Sequence, residues 1–229
     1  VLAVLAFVAG IVSLHVYLGA VSGMSREITD FKRPDGGDFM NYLKSTWKTS
    51  LAMGLLNVLV FFLLLNALNF YSAMEGLLSS VAVGIVTATL VVWLLAVQLF
   101  FPVITRLQSN LLPALKRVFL LFFDNFLQVT LLFLAVFGLF ALATIPAILT
   151  NSIVMIVPGL TAILMIPGAS GLLNWYQGAT RILLMKYDYY EENPEASRRR
   201  TPWSAILVKE RERVGSRSFR GMIFPWKQQ

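Results

Sequence analysis

The chain has 229 residues, 57% hydrophobic and 14% charged, with a formal charge of +7, a single histidine and no cysteine. A soluble domain is nearer half apolar and a quarter charged, so this composition excludes an ordinary soluble fold. The missing cysteines exclude disulfides, thiolate metal sites and a cysteine nucleophile.

The apolar excess lies in five runs of bilayer-spanning length, since about 20 helical residues cross the hydrocarbon core. They cover roughly residues 1–21, 50–72, 77–101, 126–149 and 152–176. The chain starts at Val1, already inside the first run. The segment after that run, GMSREITDFKRPDGG, is basic and cytoplasmic in character, so residues 1–21 read as a span and not as a cleaved signal. His15 lies in this span beside Ser13 and Tyr17, where it fits a polar helix–helix contact or a proton relay.

The connection at 24–49 is more than a linker. A turn-rich stretch, Lys32 to Gly37, precedes Asp38, which is placed to cap a helix. Phe39, Leu43, Trp47 and Leu51 then share one face, opposite Lys44 and Lys48. Such a helix lies in the headgroup region with Trp47 at the interface before turning into the second span. Asn57 and Asn66 in the second span and Gln98 in the third are polar amides suited to interhelical hydrogen bonds or to a solute path. Glu75 falls in the outer turn between these spans. Small-residue rows, Ala6–Gly10 in the first span and Ser80–Gly84–Ala88 in the third, favour close helix packing.

A similar arrangement recurs 72 residues on. LLPALKRVFLLFFDN precedes the fourth span as FMNYLKSTWKTSL precedes the second, a weak internal repeat of lead-in helix, span, tight turn and returning span. The fifth span contains two Pro-Gly pairs, Pro158-Gly159 and Pro167-Gly168. They break or kink its helix, either as a structural kink or as part of a pathway.

After residue 180 the chain turns polar and basic. Arg198, Arg199, Arg200 and Trp203, and then Arg217, Arg220, Phe224 and Trp226, combine guanidinium and aromatic groups in a pattern suited to docking on anionic lipid or on a partner protein. The reading is therefore a transmembrane domain over 1–180 and a basic cytoplasmic tail over 181–229.

All nineteen Lys and Arg residues fit on one side of a membrane: five between 24 and 49, three between 102 and 125, and eleven after 180. The connections near 72–77 and 150–152 carry none. This positive-inside pattern places the N-terminus outside and the C-terminus in the cytoplasm. The basic groups are assigned to topology and to anionic headgroups. Nucleic acid is excluded as a partner, because no recognition motif accompanies the charge. No nucleophile elbow, Walker loop, GxGxxG or HExxH motif appears, so the chain reads as non-enzymatic and without cofactor or metal.

The stretches SREITDFKRPDGG, DFMNYLKSTWKTSLAMGLLN, PVITRLQSNLLPALKRVFLLFFDNFLQVTLLFL and VPGLTAILMIPG resemble the YesL-like family of bacterial membrane proteins. The resemblance covers about residues 1–185, and the basic tail departs from it. It implies a bacterial inner-membrane protein that accompanies transport systems, and supplies no catalytic residues. The expectation is an all-α membrane bundle of about five spans with cytoplasmic interfacial amphipathic helices. In function it is a non-enzymatic subunit or scaffold that assembles with other membrane-protein subunits. The alternative is a stand-alone small-solute transporter or channel that uses the broken fifth span.

Overall fold

The computed structural model of the protein describes residues 2–107, 110–142, 144–152, 154, 156–158, 168–195 and 201–208; at 3, 4 and 168–170 it describes the backbone alone. Among these residues the regular structure is helical throughout. In chain order the helices are α1 (Leu2–Thr29), α2 (Gly36–Ser72), α3 (Leu77–Val97), α4 (Phe100–Leu107), α5 (Leu111–Asp124), α6 (Phe126–Leu142), α7 (Ile145–Thr150), α8 (Gly168–Glu192) and α9 (Trp203–Ile206).

Four stretches are long and apolar enough to cross a membrane: Leu5–Thr29, Gly36–Ser72, Leu77–Leu107 and Phe126–Thr150. They overlap the first four spans read from the sequence, the first of them from Leu5 on. Of the fifth stretch, residues 153, 155 and 159–167 lie outside the described residues, and its end is the beginning of α8. That helix runs unbroken through residue 181, where the tail was expected to begin, as far as Glu192.

The lead-in to the second span differs from expectation. Residues 36–72 form one helix of 37 residues, with no turn between an interfacial segment and a span. At 1.5 Å per residue it is about 55 Å long, against roughly 30 Å of hydrocarbon. Nothing in STWKTSL breaks a helix, so the backbone hydrogen bonds continue through it. The cap is Asp35, not Asp38. The Asp35 side chain accepts from the Asp38 N–H, and Asp38 accepts from the Asp35 N–H in return, a reciprocal capping box. The second half of the apparent repeat does break: α5 ends at Asn125 and α6 starts anew at Phe126.

Helices α1 and α2 form an antiparallel hairpin and make the most extensive contact in the fold. Glycines set its spacing. A Cβ on Gly23 would overlap the Tyr42 ring, and one on Gly19 would overlap Ser50. One on Gly54 would approach the Val12 backbone to 3.1 Å. By contrast, Gly10 and Gly84, from the rows noted in the sequence, meet no neighbour. The apolar core gathers Met53, Leu95, Leu99, Phe100, Val103, Val118 and Phe122 where α2, α3, α4 and α5 converge, with Leu183 of α8 closing one side.

Candidate functional site: polar knots at the basic end of the bundle

The basic end of the bundle brings together polar groups from helices far apart in sequence. On α1, Ser22, Ser25, Arg26 and Thr29 lie on successive turns, and Asp30 follows at the helix end. Helix α4 presents Thr105 and Arg106, and α8 presents Gln177, Thr180 and Arg181.

Gln177 is fully buried at the centre. Its Nε2 shares two hydrogens among the Ser22 carbonyl at 2.9 Å, Ser22 Oγ at 2.8 Å and Thr105 Oγ1 at 2.8 Å. Its Oε1 accepts from Arg106 Nε at 2.9 Å. One amide thus joins three helices and uses both its donor and acceptor sides, as a buried amide must.

Asp30 is the counter-ion of this knot. It faces Arg106 at 3.2 Å, Arg26 at 3.6 Å and Arg181 at 3.6 Å. Arg106 also donates to Thr29 Oγ1 at 2.8 Å, Arg26 to the Thr105 carbonyl at 2.6 Å, and Arg181 to the Thr29 carbonyl. The guanidinium forks fit this role, because each offers several donors in fixed directions. Phe31 lies under Arg181, 5.2 Å from its guanidinium, and holds φ +63° to make the turn toward α2. On the neighbouring face the Tyr42 hydroxyl donates to Glu27 and ties α2 to the same end of α1.

A second knot fixes the elbow between α5 and α6. Lys186 Nζ donates to Asp124 Oδ2 at 2.8 Å and to Asn125 Oδ1 at 2.9 Å. Asn125 Nδ2 donates to the Tyr187 hydroxyl at 3.0 Å, and that hydroxyl donates to Asp124. The four side chains close a ring. Burial, and then the bond to Asp124, push the Tyr187 hydroxyl well above its ordinary pKa. A cleft of about 610 Å³ opens beside the ring, lined by Leu120, Tyr190 and Glu191 among others.

A third polar link lies within the spans. Asn57 Nδ2 meets His15 Nε2 at 2.7 Å, and Trp93 Nε1 donates to Asn57 Oδ1 at 3.0 Å. His15 and Asn57, both singled out from the sequence, are therefore partners of one another.

The other sequence-selected residues are dispersed. Gln98 marks the α3–α4 break and donates to the Leu95 carbonyl at 2.7 Å and the Val129 carbonyl at 3.2 Å. Asn66 is exposed and bonds only within its own helix, to the Phe62 carbonyl at 2.6 Å. Trp47 is exposed, with the Lys48 ammonium 5.6 Å from its ring centroid. Trp203 packs against the core and helps line an apolar groove of about 290 Å³ with Val129, Leu132, Ile182, Leu183 and Leu207. Pro158 is exposed in a short helical turn, and Gly168 opens α8. Gly159, Pro167, Arg198, Arg199, Arg200, Arg217, Arg220, Phe224 and Trp226 lie outside the described residues.

The basic residues of the two knots were visible in the sequence only as topology-setting charges. Nothing in the spacing of Asp30, Arg106 and Arg181 announces that they meet, since 76 and 151 positions separate them from Asp30 to Arg106 and to Arg181. Among the described residues, no group of three or more His, Asp or Glu side chains is arranged to hold a metal ion. The chain matches no protein-family model, no curated protein and no solved structure.

Proposed function

We propose that this protein is a non-enzymatic, multi-pass scaffold or accessory subunit of a larger assembly in the bacterial inner membrane. The observation that carries the reading is the uneven packing of its spans. The most apolar windows of the four spans are only 22%, 17%, 11% and 6% buried, in chain order, while the basic end is tightly cross-linked. Among the described residues, the fourth span meets the core near its start, at Val129 and Phe133. Spans so bare are covered by lipid or by other helices. Ser80, Gly84 and Ala88 are all exposed on α3, a surface that allows a neighbouring backbone to come close.

A fifth crossing belongs to the same proposal. Span four starts at the basic end and leaves it, whereas Gln177 is back at that end bonded to Ser22. A returning crossing between Asn151 and Gln177 fits these two positions, and 26 residues suffice to cross about 30 Å as a helix. This return supports an N-terminus outside and a cytoplasmic C-terminus, with Trp47 and the basic tail toward anionic headgroups or partner subunits. The resemblance to YesL-like proteins supplies the transport-related part of the reading.

The test is co-purification. The tagged protein, extracted from its native membrane in mild detergent, is expected to bring stoichiometric membrane partners, identified by mass spectrometry. Deleting residues 196–229 is expected to release them. A lone, monodisperse oligomer that moves solute across liposomes by itself would replace this reading with that of a transporter.

A further inference from the structure

His15, Asn57 and Trp93 stand on α1, α2 and α3 and form one chain of hydrogen bonds from the Ile11 carbonyl to the Trp93 indole. Their chemistry fixes every proton in it. A carbonyl oxygen only accepts, so His15 Nδ1, 2.8 Å from the Ile11 carbonyl, carries the ring proton. An indole N–H only donates, so Asn57 turns its oxygen to Trp93 and its NH₂ to His15. His15 Nε2 is therefore the bare, accepting nitrogen.

The chain closes only around a neutral imidazole. A second proton on Nε2 sets N–H against N–H across the 2.7 Å contact. Rotating the Asn57 amide restores that bond but turns its NH₂ toward the Trp93 N–H, so the conflict moves one step and does not vanish. Asn57 is 7% exposed, so few waters are at hand to relieve it. Gly54 of α2 lies against the His15 Cβ and Cγ, and the Phe101 ring of α4 is 5.8 Å away, centroid to centroid. Neither of these two described neighbours carries a charge.

We propose that His15, Asn57 and Trp93 are a proton-operated latch across the first three spans. Neutral His15 holds α3 to the α1–α2 hairpin through Asn57. Protonation of Nε2 opens the link to Trp93 and loosens α3, the helix that carries the uncovered small-residue row. The proposal stands independently of the subunit reading.

The latch is tested on the full chain in lipid nanodiscs by ¹⁵N NMR. The single histidine needs no assignment, and the Trp93 indole signal is identified by its loss in Trp93→Phe. At neutral pH, Nδ1 is expected to be protonated and Nε2 bare. On acidification both nitrogens become protonated, and the Trp93 signal shifts with the same midpoint. In Asn57→Leu, the Trp93 signal no longer follows the His15 signals. Four results would overturn the proposal: a proton on Nε2 at neutral pH, a Trp93 signal indifferent to His15, coupling that survives Asn57→Leu, or a ring that stays neutral until the protein unfolds.

Discussion

Arg106 and Gln177 meet through a single 2.9 Å hydrogen bond across 71 positions of sequence, and that bond joins the end of the third span to α8. Gln177 passes the connection on to Ser22, so the first and third spans and α8 are held by one side chain. At the basic end of the bundle the polar knot lies beside the apolar core of α4 and α5.

The knot makes Asp30 the acid that three guanidiniums face. Asp30→Asn removes the charge that three guanidiniums face, and it is expected to cost about 2–3 kcal/mol. Lys32→Ala, which breaks the exposed 3.5 Å pair with Glu27, is expected to cost less than about 1 kcal/mol. Thermal unfolding of both variants in the same detergent checks the order; equal losses would contradict the role given to Asp30.

The glycines of the hairpin should differ sharply in tolerance. Gly23→Ala drives a methyl group into the Tyr42 ring and is expected to destabilise by about 1–3 kcal/mol. Gly10→Ala meets open space and is expected to be neutral or stabilising by up to about 1 kcal/mol, through helix propensity alone. Residual monodisperse protein after graded heating separates the two.

The Tyr187 ring predicts an alkaline limit. Its pKa in the folded state lies above the ordinary tyrosine value of 10.0, so folding favours the protonated hydroxyl. This contribution is complete below about pH 10, where the unfolded tyrosine also keeps its proton, and is lost as pH rises toward the folded value. Tyr187→Phe is expected to lower stability at neutral pH and to flatten its decline above pH 10. Chemical unfolding of wild type and variant at pH 8, 10 and 11 measures both effects.

The absence of cysteine gives a clean test of topology, because each introduced thiol is the only one. In intact cells, Glu75→Cys is expected to react with a membrane-impermeant maleimide, and Lys48→Cys to react only after the membrane is opened. Reaction of Lys48→Cys from outside would reverse the assigned orientation.

Sequence alone determined the membrane class and the first four apolar spans, and it shows the basic residues grouped outside the apolar runs. These are one-dimensional properties: run length must match bilayer thickness, and charge placement follows the loops. It also pointed to His15 and Asn57 as polar groups within spans, since an amide or imidazole there needs a partner. Only the tertiary structure decided that they partner each other and that Trp93 completes the chain. It likewise decided that Gly19, Gly23 and Gly54 face a neighbouring helix while Gly10 and Gly84 do not, a matter of helix rotation that small-residue spacing leaves open. The cap at Asp35 and the unbroken α2 depended on local hydrogen bonds that two nearby aspartates were equally able to start. The meeting of Asp30, Arg106, Gln177 and Arg181 depended on where α8 returns to the bundle, because long-range polar contacts are set by the packing of whole helices and leave no periodic trace in the chain.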